Sequence, residues 1–67
     1  MTDKAIQEMA KSIKQHRKKS GLTQVALAKK AGIQPNTLAR LERGEHRPSL
    51  PTLEKLAKAL NIKLQIF

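Results

Sequence analysis

The chain has 67 residues, with 14 Lys or Arg against 5 Asp or Glu, which gives a formal net charge of +9. It has no Cys, so disulfides and cysteine-ligated metal sites are excluded, and no apolar run approaches the roughly 20 residues that span a bilayer. The charge favours a polyanionic partner, and because Phe67 is the single aromatic residue, duplex binding is favoured over stacking on single strands.

The first predicted helix spans residues 4 to 19, with Asp3 as its N-cap. Basic residues crowd its C-terminal half, where the helix dipole favours cations. Gly21 then fits the left-handed position that follows a helix end. The narrow apolar face of this helix is formed by Ile6, Met9 and Ile13.

Two short helices follow. The first has Thr23 as its N-cap and runs to about Ala31, where Gly32 stops it. The next begins near Pro35, which suits a first helical turn, and ends at Gly44. Its inward positions are Leu38 and Leu41, and its outward positions are Asn36, Thr37 and Arg40.

A fourth helix is predicted after Ser49, its N-cap, with Asn61 as a left-handed residue at its end. In the tail, residues 62–67, apolar and polar residues alternate, which predicts a strand. A lone strand needs a partner for its backbone groups, so we expect it to pair with a second copy of the chain. The prediction is a helical domain over residues 1–61 and a dimerisation strand over 62–67.

The second and third helices have the arrangement of a helix-turn-helix. Ala28 is small where two helices would cross closely, and Gly32 permits the sharp turn between them. Any corner between two helices can show this pattern. The basic charge and the polar outer face of the third helix make it more specific, because such a helix can enter the major groove.

Three segments have a more specific sequence pattern than a bare helix-turn-helix. They are LTQxxLAxxAGI at residues 22–33, TLxRLERG at 37–44 and PSLxTLxKLAxAL at 48–60. Together they closely resemble the Cro/phage-repressor (XRE) helix-turn-helix family over roughly residues 9 to 62. The resemblance implies a compact all-α DNA-binding domain that is usually dimeric and acts as a transcriptional repressor. One departure is Ala26, which stands where the family prefers Glu, so a reciprocal capping box with Thr23 is missing.

The resemblance also implies the residues that touch DNA. Arg can bind guanine in a bidentate manner, Asn or Gln can bind adenine, and the Thr methyl group can contact thymine. The implied base-contacting residues are Gln34, Asn36, Thr37 and Arg40. The implied phosphate-contacting residues are Thr23, Gln24, Arg43 and Arg47.

Two further features follow from the resemblance. Arg17 and Glu42 match a buried ion pair of the family, with a phosphate contact as the alternative for Arg17. The ending resembles HipB-type antitoxin repressors, in which a strand from each protomer pairs across the dimer; a frayed terminus is the alternative. The implied dimer contacts are Ile62, Leu64, Ile66 and Phe67.

The predicted function is sequence-specific binding of double-stranded DNA as a homodimeric repressor on a palindromic operator. The main alternative is an antitoxin that also holds a toxin protein. A membrane-surface peptide is less consistent, because the basic first helix lacks Trp and Phe. An enzyme, a metal or a cofactor is not expected, since the 2 histidines lie in different elements. Without a signal sequence, we expect a cytoplasmic protein with no membrane partner.

Overall fold

The computed structural model describes residues 4–64 and contains four helices, which are α1 (Lys4–Lys19), α2 (Gln24–Ala31), α3 (Pro35–Glu42) and α4 (Leu50–Leu60). All four predicted helices are present in the predicted order. The all-α helix-turn-helix architecture is therefore confirmed. The expected N-cap of α1, Asp3, lies outside the described residues.

The starts of α2 and α4 are fixed by short polar side chains. Thr23 Oγ1 accepts a hydrogen bond from the backbone N–H of Ala26 at 3.0 Å, and Ser49 Oγ accepts one from Thr52 at 3.3 Å. Each bond satisfies an amide that has no partner inside the helix. Thr23 therefore caps α2 in one direction only, since Ala26 has no carboxylate to return the bond.

All four helices end in the same way. Each is followed by a residue with positive φ, and the next N–H bonds back to a carbonyl five residues earlier, which is a Schellman motif. The left-handed residues are Gly21, Gly32, Gly44 and Asn61. The closing bonds, 2.9 to 3.2 Å long, join Leu22 to Arg17, Ile33 to Ala28, Glu45 to Arg40, and Ile62 to Ala57.

The four helices surround one core, to which each contributes buried side chains, and α1 and α2 hardly touch each other. α2 packs against both α3 and α4, and α1 also contacts both, while α3 and α4 hardly touch each other. Ala28 is fully buried, which is consistent with a close helix crossing. The largest fully buried side chains are Ile13, Leu27, Leu38, Leu41 and Leu56.

The C-terminal segment differs from the prediction. Residues 62 and 63 have no regular secondary structure, and Leu64 lies in a short 3-10 turn, so no strand is formed in the described part of the tail. The N–H of Ile62 is already used to close α4, and its side chain packs against the core. The rest of the described protomer, residues 4–61, also offers no neighbouring strand. Ile66 and Phe67, the other predicted contacts, lie outside the described residues.

Candidate nucleic-acid interface

The turn between α2 and α3 is built by the backbone. Gly32 has a φ of 74°, in the left-handed region, and Ile33 N–H bonds to the carbonyl of Ala28 at 2.9 Å. The side chain of Ile33 packs on the core. Gln34 is extended and makes no side-chain cap, and Pro35 starts α3. The direction of α3 is thus set without the polar side chains that face outwards.

The four predicted base-contacting residues lie at the N-terminus and on the outer face of α3. Gln34, Asn36 and Arg40 are exposed, and Thr37 is half-buried. Asn36, Thr37 and Arg40 share one helix face, because Arg40 follows Asn36 by four residues and Thr37 by three. The opposite face carries the buried Leu38. The structure therefore presents these polar groups together on a surface that can enter a groove.

The predicted phosphate-contacting residues flank this surface. Thr23 is exposed at the start of α2, and Arg43 and Arg47 are exposed at and beyond the end of α3. Gln24 is half-buried. The first backbone amides of α2 lack intrahelical partners, which makes this helix start electropositive.

Arg17 and Glu42 are in direct contact. Arg17 Nε donates to Glu42 Oε2 at 2.7 Å, and Nη2 donates to Oε1 at 3.1 Å, so the pair is bidentate. The remaining Nη1 donates to the carbonyl of Leu22 at 2.8 Å. The side chains of Arg17 and Glu42 are only 11% and 2% exposed, which leaves little of the guanidinium for a phosphate.

The Glu42 carboxylate has a third donor that the sequence did not predict. Gln24 Nε2 donates to Oε1 of Glu42 at 3.0 Å. This bond ties the first residue of α2 to the last residue of α3. The predicted role of Gln24 at phosphate would therefore use its remaining amide atoms or its backbone N–H.

Glu45 is a second unpredicted feature of the site. Its carboxylate accepts hydrogen bonds from Arg43 Nε and, at 3.3 Å, from Arg43 Nη2, and its Oε1 lies 3.8 Å from Arg40 Nε. The hydrogen bond from Arg43 holds the pKa of the Glu45 carboxyl below its usual value. The same hydrogen bond raises the pKa of Arg43. One exposed carboxylate is thus shared by two arginines of the predicted interface.

No helix within residues 4–64 is long and apolar enough to cross a membrane. In that same stretch, no group of three or more acidic residues and histidines is placed to hold a metal ion.

Comparison with known proteins places this geometry in a family. A family model described as helix-turn-helix (HTH_3) matches residues 13–67. The chain is 39% identical over 57 residues to an HTH-type transcriptional regulator of Archaeoglobus fulgidus, with 85% of this chain and 81% of the relative covered. It is 50% identical over 52 residues to the immunity repressor protein of Bacillus phage phi105, which covers 78% of this chain and 36% of the repressor.

A solved structure shows the same fold. The restriction-modification controller protein C.AhdI from Aeromonas hydrophila superposes with a TM-score of 0.90 at 30% identity, covering 94% of this chain and 97% of that chain. The outward polar face of α3 is consistent with the family match and with the relatives, which are transcriptional regulators. The chain belongs to the helix-turn-helix (HTH_3) family and is a DNA-binding transcriptional regulator.

Proposed function

We propose that this regulator is a repressor that binds a palindromic operator as a homodimer, with one α3 in each of two successive major grooves. The observation that carries the proposal is the outer face of α3, where three exposed or half-exposed polar side chains share one side of a helix whose other side is buried. Repression follows when the bound dimer occupies promoter DNA.

Base recognition is assigned to the outer face of α3. Arg40 can donate two parallel hydrogen bonds to guanine, and Asn36 or Gln34 can bind adenine through both amide atoms. The Thr37 methyl group can contact the methyl group of thymine. These three chemistries differ enough to discriminate between base pairs at adjacent positions.

Phosphate contacts are assigned to the two ends of the motif. The start of α2, with Thr23 and the Gln24 amide, offers N–H donors and the positive end of a helix dipole. Arg43 and Arg47 offer guanidinium groups on the other side of α3. Contacts of this kind fix the position of the protein on the duplex but do not read sequence.

The size of the protomer is compatible with a dimer on one face of DNA. Its principal extents are 32 × 23 × 21 Å, and successive major grooves on one face are about 34 Å apart. We assign the dimer contact to the C-terminal segment, where the apolar residues Ile62, Leu64 and Ile66 alternate with Lys63 and Gln65 and are followed by Phe67. Strand pairing would require the 3-10 turn at Leu64 to open, and it would not use the N–H of Ile62, which is bonded to α4.

Selection of bound duplexes from a random-sequence pool tests this function directly. We expect enrichment of an inverted repeat whose half-sites are one helical turn apart. A pool that remains unenriched, or an enriched site without two-fold symmetry, would contradict the proposal. Purification from the native host adds a check on the antitoxin alternative, since a toxin would co-purify as a second chain.

A further inference from the structure

We propose that Glu45 is an internal counter-ion of the DNA interface, which competes with DNA for Arg43 and Arg40 and so lowers affinity for duplex of any sequence. The inference rests on the proposed function, because it assumes that α3 and its C-terminal flank face DNA. It adds a role for a residue that carries the same charge as DNA.

Arg43 and Glu45 pair in the geometry of a phosphate contact. Arg43 presents Nε and Nη2 to the two oxygens of Glu45, which is the paired arrangement that a guanidinium uses to bind a phosphate. A phosphate that approached this edge would have to displace the carboxylate. The edge that is best suited to DNA is therefore occupied in the free protein.

The negative charge of Glu45 is shared by two arginines. Glu45 Oε1 is also 3.8 Å from Arg40 Nε, so one carboxylate partly neutralises two guanidinium groups. Arg43 and Glu45 are 56% and 47% exposed at their side chains, so the pair can open without disturbing the core. The position of Glu45 is fixed by its backbone N–H, which closes α3 on the carbonyl of Arg40.

The side chain of Glu45 supports no other part of the described structure, although its backbone N–H closes α3. Its carboxylate contacts only the two arginines among the described residues. Glu42, in contrast, is buried and joins three helices. Glu45→Gln should therefore leave the fold unchanged while it frees Arg43 and Arg40. Glu54→Gln is the matched control, because Glu54 is exposed on α4, which hardly touches α3.

Binding to a random-sequence duplex between about 50 and 200 mM salt tests the proposal. We expect Glu45→Gln to bind more tightly than the parent and to steepen the slope of log affinity against log salt by about 0.9, the share of one phosphate contact. Its gain should then be about three-fold larger at the lower salt concentration. Glu54→Gln should show only the small gain of one added net charge.

A second background separates the mechanism from a general charge effect. When Arg40 and Arg43 are both replaced by Ala, adding Glu45→Gln should give the same small gain as adding Glu54→Gln. Circular dichroism should show unchanged helix content in each variant. A larger gain that persists without the two arginines would overturn the counter-ion role.

The outcomes also separate this inference from the proposed function. If the parent fails to bind duplex at low salt, the DNA interface itself is wrong. If the parent binds but Glu45→Gln behaves like Glu54→Gln, or binds more weakly than the parent, the interface stands and the counter-ion role is overturned.

Discussion

Arg17 and Glu42 join the C-terminal ends of α1 and α3 through a bidentate ion pair with a 2.7 Å bond from Nε to Oε2. Glu42 is the last residue of α3, and its carboxylate also accepts a bond from Gln24 at the first residue of α2. The two helices of the DNA-binding motif and α1 thus meet at one buried carboxylate. The orientation of α3 relative to the rest of the domain depends on this junction.

Arg17→Met should strongly destabilise the fold, by about 3–5 kcal/mol, because it leaves the Glu42 charge buried without its cation. Arg17→Met combined with Glu42→Met should be more stable than the single variant, since no unpaired charge remains. Urea denaturation at one fixed protein concentration measures both. A single variant as stable as the parent would show that the pair contributes only as an exposed one does.

Gly32→Ala should destabilise the protein by about 1–2 kcal/mol, because an L-residue is strained at a φ of 74°. No atom beyond Gly32 and its two chain neighbours lies within 4 Å of an added Cβ, so the cost is local backbone strain and not a clash with the rest of the fold. Gly32→Asn should cost less, since Asn tolerates the left-handed region, as Asn61 does after α4. Equal losses in the two variants, measured by urea denaturation, would contradict this account.

Arg40→Ala should reduce discrimination between operator and random duplex by about 5- to 150-fold, the value of one bidentate base contact. Competition titrations with the selected operator and a scrambled duplex measure the ratio. Equal losses on both duplexes would make Arg40 a phosphate contact.

Arg47→Ala should instead weaken binding to operator and random duplex alike and flatten the salt slope by about 0.9. Lys58→Ala is the control, because it removes the same charge from α4, which hardly touches α3. A change in sequence preference in Arg47→Ala, or an equal flattening in Lys58→Ala, would contradict the phosphate role.

Truncation after Ile62 should convert the proposed dimer into a monomer that retains its four helices, because Ile62 still closes α4 and packs on the core. Sedimentation equilibrium measures the mass, and operator affinity should fall with it. Full-length Lys63→Ala controls for the lost charge. A truncated chain that keeps a dimeric mass would place the dimer contact elsewhere.

The Glu45 carboxyl should titrate below the usual glutamate range in a ¹³C NMR titration, since its hydrogen bond with Arg43 lowers its pKa. A lowered pKa in the folded state means that the pair stabilises the protein above the unfolded pKa, and that this contribution is lost as the pH falls through the folded value. The pair is thus intact at neutral pH, where the Glu45 carboxyl is ionised and the Arg43 guanidinium is protonated. Arg43→Ala should raise the pKa towards the usual value, and Arg43→Lys should raise it less.

The helix bounds could be predicted because their determinants are local. Thr23 and Ser49 bond to amides three residues away, and the residues after each helix act through their own backbone. The contact of Arg17 with Glu42 spans 25 residues and was expected only from the family resemblance. Local sequence patterns were sufficient to predict the helices but not the contacts between them.

The unpredicted features depend on three-dimensional positions that no short pattern encodes. The bond between Gln24 and Glu42 exists because the start of α2 meets the end of α3. The pairing of Glu45 with Arg43 depends on the left-handed turn at Gly44, which carries the chain back towards α3. The alternation in the tail predicted a strand, but the closure of α4 uses the first amide of that segment.

The backbone-built turn before α3 has a consequence for how new DNA specificities can arise. Gly32, Pro35 and Gly44 set the start and end of α3, whereas the side chains of Gln34, Asn36 and Thr37 make no hydrogen bond to any other described residue. These outward positions can therefore be exchanged without a loss of folding. A library randomised at these three positions should yield stable regulators that bind other operator sequences, so one fold can serve many different operators.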